Sequence, residues 1–150
     1  MNKLLAAFGC VSILLSFAAG CYSGDPIAHS TVTLTFPEGD KQTNASLSTL
    51  NPEVKEALRI IDDVLVSTGF TRDEKPPTAQ EQAQGIIATY GRYTVCVENR
   101  DLVVNFVEFG KRRSSPIVIN TCKSLKERLD NRFGTKRVFV EGNTEWMQVK

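Results

Sequence analysis

The side chains that could do chemistry in this chain are few, and their spacing forms no familiar catalytic set. His29 is the only histidine, and it lies in a polar stretch that would leave a general base without support. Asp62 and Asp63 are neighbours on a predicted helix, where adjacent side chains diverge, so they form no paired-carboxylate site. The sequence also lacks a Ser-His-Asp set, a metal-spaced cluster and a glycine-rich phosphate loop. We therefore predict a protein without catalytic activity, metal or cofactor.

Cys21 stands apart from the other three cysteines because of what precedes it. Residues 4–17 are almost wholly apolar, follow a single charge at Lys3 and end in Ala18-Ala19-Gly20. This run is about 14 residues long, whereas a helix that spans a bilayer needs roughly 20. A positive start, a short apolar middle and small residues before a cleavage point are typical of a secretory signal peptide.

Ala19-Gly20-Cys21 resembles the lipobox of bacterial lipoprotein precursors, although Ala18 stands where leucine is commonest. The resemblance implies that residues 1–20 are removed as a signal peptide. It also implies that Cys21 carries a diacylglyceryl group on sulfur and an acyl group on its new N-terminal amine. Tyr22 rather than aspartate follows, which in enteric-type sorting implies the outer membrane, facing the periplasm. The inner membrane, the cell surface and an ordinary secretory cleavage after Gly20 are the alternatives.

A lipid anchor of this kind would hold the protein at the membrane without a spanning helix. Each buried methylene contributes about 0.8 kcal/mol, and a single acyl chain holds a protein only marginally. Three chains would make the attachment effectively permanent. We therefore expect the membrane itself to be one partner of the mature chain.

The cysteine count bears on this interpretation. Cys10 would leave with the signal peptide, so Cys21, Cys96 and Cys122 would remain, an odd number in an oxidising compartment. Lipidation of Cys21 leaves one possible disulfide, between Cys96 and Cys122, and two separate buried thiols are the alternative. The strand pattern is in conflict with that disulfide. If Val95 faces the core, Cys96 points away from it, whereas Cys122 lies on the inward stripe of a predicted helix.

Local signals predict six elements in the rest of the chain. Residues 21–29 are polar and punctuated by glycine and proline, which predicts a tether, so the single domain would span 30–150. Alternating and β-forming residues predict the strands Ser30–Phe36, Ile86–Glu98, Leu102–Phe109 and Arg137–Glu141. Caps and apolar spacing predict helices from Asn51-Pro52 to Gly69 and from Ser115-Pro116 to Gly134. Residues 37–50 are expected to form a loop, and Thr78 with Glu81 has the form of a capping box.

The resulting order, β-α-β-β-α-β, favours an α+β ferredoxin-like sandwich. In that two-layer fold, a four-stranded antiparallel sheet carries both helices on one face; another two-layer α+β arrangement is the alternative. The predicted hairpin is apolar on both sides. Its second face would need a partner, a homodimer mate or the C-terminal tail to cover it, unless it simply exposes β-branched residues to solvent.

Charge is balanced overall but unevenly distributed. Eighteen basic and 17 acidic residues become 17 of each once Lys3 is removed. The region 38–81 is net acidic, whereas a candidate basic surface lies in the last third of the chain; its residues are Lys111, Arg112, Arg113, Lys123, Lys126, Arg128 and Arg132. Such a surface would suit anionic lipid, lipopolysaccharide phosphates or an acidic partner, or else is the solvated face of a helix. Nucleic acid is not expected, since the aromatic signature of RNA-recognition modules is absent.

These observations predict a membrane-anchored periplasmic lipoprotein that binds or scaffolds another envelope component, either an envelope protein or a second copy of itself. A small-ligand-binding or inhibitor-type module is the alternative, and it would require a concave site. An envelope hydrolase is a third and weaker hypothesis, because the motifs for it are missing.

Overall fold

The computed structural model describes residues 25–37 and 52–146, with side chains as far as residue 143. Its elements follow in the order β1 (Pro26–Thr35), α1 (Pro52–Ser67), α2 (Ala79–Ala83), β2 (Ile86–Tyr90), β3 (Tyr93–Glu98), β4 (Asp101–Phe109), α3 (Pro116–Phe133) and β5 (Val138–Trp146). The predicted signal peptide 1–20, Cys21 and most of the predicted loop 37–50 lie outside the described residues. The α+β class is confirmed.

The sheet has five strands in place of the four expected. They lie in the order β2-β3-β4-β1-β5, and every neighbouring pair is antiparallel. β1 lies between β4 and β5: Val32 is opposite Val104 of β4 on one side and opposite Val140 of β5 on the other. The two edges of the sheet are therefore β2 and β5.

A turn at Gly91 accounts for the fifth strand. The run 86–98 was expected to be a single strand, but it folds back at Gly91-Arg92 so that Tyr90 lies opposite Tyr93. Gly91 has a φ of +64°, which glycine adopts without steric cost and which two-residue hairpin turns require. The residues on both sides of the turn are good β-formers, so their composition hides the boundary.

The first and last strands are both longer than predicted. β1 begins at Pro26, so residues 26–29 belong to the sheet rather than to a tether, and Ala28 is fully buried. Proline is tolerated there because the first residue of a strand can do without an N–H donor. β5 continues to Trp146, which pairs with Pro26. The added residues of β1 and the added residues of β5 pair with each other, so each extension depends on the other strand.

The two long helices begin and end where their caps predict. α1 starts at Pro52, and α3 runs from an N-cap at Ser115 to Gly134, whose φ is +94°. The capping box of α2 is also present: the Glu81 amide donates to Thr78 Oγ1 at 3.3 Å, and the Thr78 amide donates to Glu81 Oε2 at 2.7 Å. Among the described helices, none has the length and hydropathy needed to cross a bilayer.

One core lies between the sheet and the two long helices, which bury their apolar stripes in the same cluster. The strands contribute to it Val32, Leu34, Ala88, Val95, Val97, Leu102, Val104, Phe106 and Val138. The opposite sheet face is also shielded along the hairpin, where Thr94, Cys96, Asn105 and Val107 are each at most 6% exposed. Both faces of the β3–β4 hairpin are therefore buried.

Candidate functional site

The helix layer is narrower than the sheet beneath it, and this mismatch creates a groove. Five strands at about 4.8 Å spacing are about 24 Å wide, whereas two helices about 10 Å in diameter cover only about 20 Å. α3 packs on β1 and β5, and α1 packs beside α3. The remaining edge strand, β2, extends past the helices, and its helix-side surface forms one wall of a groove whose other wall is α1.

The groove has a volume of about 360 Å³, within the range of small-molecule sites. Its apolar lining consists of Leu58, Ile61, Ile87, Ala88 and Val95, and its polar lining of Lys55, Arg59, Asp62, Arg72 and Tyr90. A second recess of about 430 Å³ shares Arg72, Ile87 and Ala88 with it and extends along residues 73–77. The two recesses therefore form a continuous depression along β2.

A buried phenol lies at one end of the groove. Tyr90 Oη donates a hydrogen bond to Asp62 Oδ1 at 2.5 Å, and an Arg72 guanidinium nitrogen lies 3.5 Å from the same oxygen. Burial, together with the adjacent Asp62 carboxylate, raises the pKa of the Tyr90 hydroxyl far above its usual value of 10. The hydroxyl therefore stays neutral and acts as a fixed donor rather than as a base.

Three cations stand along the rim. Lys55 and Arg59 are one turn apart on α1, and Arg72 comes from the segment that follows the helix. Asp62 is the only acid in the lining and already accepts from Tyr90. Asp63 is not part of the lining, but it pairs with Arg59 at 3.3 Å and offsets part of the charge of that guanidinium. The lining of the first recess thus holds three cations and one acid, and although Arg72 lies near Asp62 and Arg59 pairs with Asp63, the remaining positive charge favours an anion.

Residues 70–77 are fastened beside β2, which sets the position of Arg72. The Asp73 amide donates to the Thr89 carbonyl at 2.9 Å, and the Gly91 amide donates to Asp73 Oδ1 at 3.1 Å. The ring of Phe70 packs edge-on against Tyr93 with the centroids 5.1 Å apart. Arg72 is thus held between two anchored neighbours, although its own side chain is 47% exposed.

The groove was not predicted from the sequence. Its cations lie in the region 38–81, which is net acidic by count, and they come together only through the fold. For Asp62 the sequence predicted only that it forms no paired site with Asp63, and its contact with a tyrosine 28 residues away could not be read from local spacing. The one available signal was the tyrosine itself, a polar aromatic residue soon after the apolar run Ile86-Ile87-Ala88.

The structure does not bring the two predicted disulfide partners together. Cys96 lies on the sheet face opposite the helices, next to Asn105, whose Nδ2 is 3.6 Å from the sulfur. Cys122 lies on the inward stripe of α3, where burial raises the pKa of its thiol to about 11. The two sulfurs are not bonded to each other. The conflict in the strand pattern is thus explained: each thiol faces a different side of the sheet.

The candidate basic surface is partly neutralised. Lys111 pairs with Glu108 at 2.8 Å, Lys126 with Asp130 at 2.7 Å, and Arg132 with Glu56 through two contacts of 2.7 Å. The remaining four residues, Arg112, Arg113, Lys123 and Arg128, are exposed. They lie on the segment before α3 and on α3 itself, so they do not line the groove. His29, expected in the tether, is instead held in β1 and is 9% exposed.

Nothing in the described part of the chain groups three or more histidine, cysteine or acidic side chains so that they could hold a metal ion. Comparison of the chain with protein-family models, with curated proteins and with solved structures gives no match in any of the three. The features of this chain that bear on its function are therefore the groove and the sequence of the N-terminal region.

Proposed function

We propose that the mature chain is a lipid-anchored envelope protein whose domain binds a small amphipathic anion in the groove between α1 and β2. The protein performs no chemistry on that ligand. The observation that carries the proposal is the combination of an apolar floor with three rim cations beside a neutral phenol. A membrane anchor at Cys21 would place this site beside the lipid surface.

The lining defines the chemical class of the ligand. Five apolar side chains favour an acyl or aromatic body, because burial of apolar surface drives binding at about 25 cal/mol per Å². Arg72, Arg59 and Lys55 favour a carboxylate or phosphate at the end of that body. Tyr90 is no base toward the ligand, since its hydroxyl stays neutral, and its hydrogen is donated to Asp62 rather than to the ligand.

The anchor would hold the site close to the membrane. β1 begins at Pro26, so only residues 21–25 would separate a lipidated Cys21 from the sheet. Five residues at about 3.5 Å each reach at most about 18 Å. An amphiphile that leaves the bilayer surface would therefore meet the domain within a short distance.

The added strand and the groove belong together in this proposal. We infer that the four strands β5-β1-β4-β3 with α1 and α3 form a ferredoxin-like part of the fold, an inference supported by their order once β2 is set aside. β2 is then an addition to that plan at the sheet edge. Since β2 supplies Ile87, Ala88 and Tyr90, the addition provides the site.

Calorimetric titration of the unlipidated mature chain, residues 21–150 with Cys21→Ser, tests the binding site. Decanoate and decyl phosphate are expected to bind, and decanol to bind about tenfold more weakly, a difference of about 1.4 kcal/mol. Arg72→Gln should remove most of the preference for the anions, whereas Arg92→Gln, an exposed cation outside the groove lining, should not. No binding of any of the three probes, or binding of decanoate that Arg72→Gln leaves unchanged, would overturn the proposal.

Mass spectrometry of the mature N-terminus in its native host tests the anchor separately. A chain that starts at Cys21 with three acyl chains is expected, and Cys21→Ser should release the protein from the membrane fraction. An unmodified Cys21 would refute lipidation but would leave the groove to be judged by the titration.

A further inference from the structure

The start of β1 marks one end of the domain. Ile27, the second residue of β1, lies opposite Phe109, the last residue of β4. The segment that follows Phe109 leads directly into α3, which begins at Pro116. We call residues 110–119, which comprise this segment and the first turn of α3, the entry surface. The entry surface therefore lies at the end of the sheet where the chain enters β1.

Hydrogen bonds hold the entry surface against the sheet. The hydroxyl oxygen of Ser114 lies 2.6 Å from that of Ser30 in β1. The amide of Ser115 donates to the Glu108 carboxylate near the end of β4. The segment is thus tied to two neighbouring strands, so its backbone has a fixed position at this end of the domain.

The entry surface is basic. Its cations are Lys111, Arg112 and Arg113, and Lys123 is exposed two turns further along α3. Glu108 is the only acid in the sequence from residue 102 to residue 126. It is 4% exposed and accepts from Lys111 at 2.8 Å, so it offsets the charge of that lysine. Asp25, exposed just before β1, offsets at most one more charge. The surface therefore retains positive charge that favours an anionic partner.

Two large aliphatic side chains are exposed beside these cations. Ile117 is 48% exposed and Ile119 is 42% exposed, one on each side of Val118, which begins the buried stripe of α3. Aliphatic and basic side chains together are typical of surfaces that lie in the interface of a bilayer. The aliphatic groups enter the headgroup region there, and the long basic side chains extend to the phosphates.

The proposed anchor would attach at the same end of the domain. Residues 21–25 would join Cys21 to β1 and reach at most about 18 Å, whereas the ten residues of β1 extend about 33 Å. The opposite end of the sheet, where the Thr35 amide donates to the Arg137 carbonyl, is therefore beyond the reach of this tether. A lipidated Cys21 would bring the entry surface, rather than the opposite end, to the bilayer.

We propose that the entry surface rests on anionic lipid, with Arg112 and Arg113 at the phosphates and with Ile117 and Ile119 in the headgroup region. The choice of lipid as the partner rests on the anchor proposed above. The site itself is separate from the groove, whose lining includes none of residues 110–119. The anchor holds the chain at the membrane, and the entry surface sets the orientation of the domain on it.

Lipid fits this surface better than an acidic protein does. The acyl chains on Cys21 would keep the bilayer within reach of the entry surface at all times, which gives the lipid a high effective concentration. The orientation also affects the groove. β2 and β4 run in the same direction, so the Tyr90 end of β2 lies on the same side of the sheet as the entry surface. That end of the groove would therefore be turned toward the bilayer.

Cosedimentation with vesicles tests the surface without the anchor, on residues 21–150 carrying Cys21→Ser. Phosphatidylcholine vesicles with about 30% phosphatidylglycerol should bind the chain about tenfold more tightly than phosphatidylcholine alone at low salt, and high salt should remove the difference. Arg112→Gln combined with Arg113→Gln should weaken binding to the anionic vesicles about tenfold. The circular dichroism spectrum should stay unchanged.

Arg128→Gln combined with Lys136→Gln is the matched control, since these exposed cations lie toward the opposite end of the domain. This control and Arg72→Gln in the groove should bind the vesicles as the unmutated chain does. Equal binding to both kinds of vesicle, or an equal loss in the control, would overturn the proposal. Binding to neither would overturn it in favour of an acidic protein, and a loss through Arg72→Gln alone would overturn it in favour of the groove. Because this chain carries no lipid, the result is independent of the mass spectrometry that tests the anchor.

A fluorescent label tests the orientation. Cys96 and Cys122 are buried, so a polarity-sensitive maleimide should label only an introduced surface cysteine on the chain with Cys21→Ser. The label on Ile117→Cys should become brighter and shift to the blue when anionic vesicles are added, since it enters the headgroup region. The label on Lys136→Cys, at the opposite end, should not respond. A response at Lys136→Cys as large as that at Ile117→Cys would refute the proposed orientation.

Discussion

Tyr90 donates its hydroxyl hydrogen to Asp62 at 2.5 Å and thereby joins the edge strand β2 to helix α1. β2 lies beyond the two-helix layer, and its packing depends more on such single contacts than that of the central strands does. Asp62 is 36% exposed at its side chain, so the bond lies at the border between the core and the groove. The contact both stabilises the strand and defines one end of the candidate site.

Tyr90→Phe is expected to lower the free energy of unfolding by about 1 kcal/mol, because one hydrogen bond to a carboxylate is lost while the ring stays in place. Urea denaturation measures this change. Tyr93→Phe is the matched control: Tyr93 packs its ring on Phe70 and Phe106, and its hydroxyl has no hydrogen bond among the described residues. An equal loss of stability in both variants would show that the Asp62 contact is not responsible.

The same contact predicts a loss of stability at alkaline pH. Burial and the Asp62 carboxylate raise the pKa of folded Tyr90 above the unfolded value of 10. Above pH 10 the unfolded state therefore holds fewer protons than the folded state, and the free energy of unfolding falls as the pH rises. Urea titrations at pH 9 and pH 11 should show a smaller decrease for Tyr90→Phe than for the unmutated chain. An identical decrease in both would contradict the assignment.

Local signals predicted the helices well because their ends depend on adjacent residues. Pro52, Ser115 and Gly134 each act within one turn of the helix that they begin or end. The same holds for the capping box at Thr78, which needs only Glu81 three residues later. These features can be read without knowledge of the tertiary structure.

The longer strands and the groove depend on contacts between distant parts of the chain. Residues 142–146 are mostly polar and have no strand pattern of their own, yet they pair with residues 26–30 through the backbone. Neither segment predicts the other. Arg72 and Tyr90 likewise meet at Asp62 only because residues 70–77 are fastened along β2. Sequence patterns reflect the local preference of a segment for helix or strand, whereas the strand extensions and the groove arise from contacts between distant segments.

Glu108 provides a prediction at acidic pH. Its side chain is 6% exposed and accepts from Lys111 Nζ at 2.8 Å and from the Ser115 amide at the start of α3. Burial opposes ionisation of Glu108, but the hydrogen bonds from Lys111 and Ser115 outweigh it and hold the pKa of the carboxyl below its usual value of 4.5. The stability that this carboxylate contributes is therefore present above pH 4.5 and is lost as the pH falls through the folded pKa.

Glu108→Gln should accordingly reduce the free energy of unfolding by about 2 kcal/mol at pH 7, and the difference from the unmutated chain should shrink toward pH 3. Guanidinium denaturation at the two pH values measures it. Glu127→Gln, at an exposed position on α3, is the control and should have little effect at either pH. A difference that grows as the pH falls would contradict the sign of the pKa shift.

The positions of the two buried cysteines predict how the protein reacts with alkylating reagents. Because Cys96 and Cys122 face opposite sides of the sheet and are not bonded to each other, the purified chain should contain both as thiols. Iodoacetamide at pH 8 should label neither quickly in the native state, since both are buried and only a thiolate reacts. Burial also raises the pKa of Cys122 to about 11, which leaves little thiolate at pH 8. In guanidinium without reductant, intact-mass measurement should show two added carbamidomethyl groups on the chain with Cys21→Ser, and a Cys122→Ala variant should take up one. A denatured chain that accepts no label until it is reduced would establish the disulfide and require α3 or β3 to be rearranged.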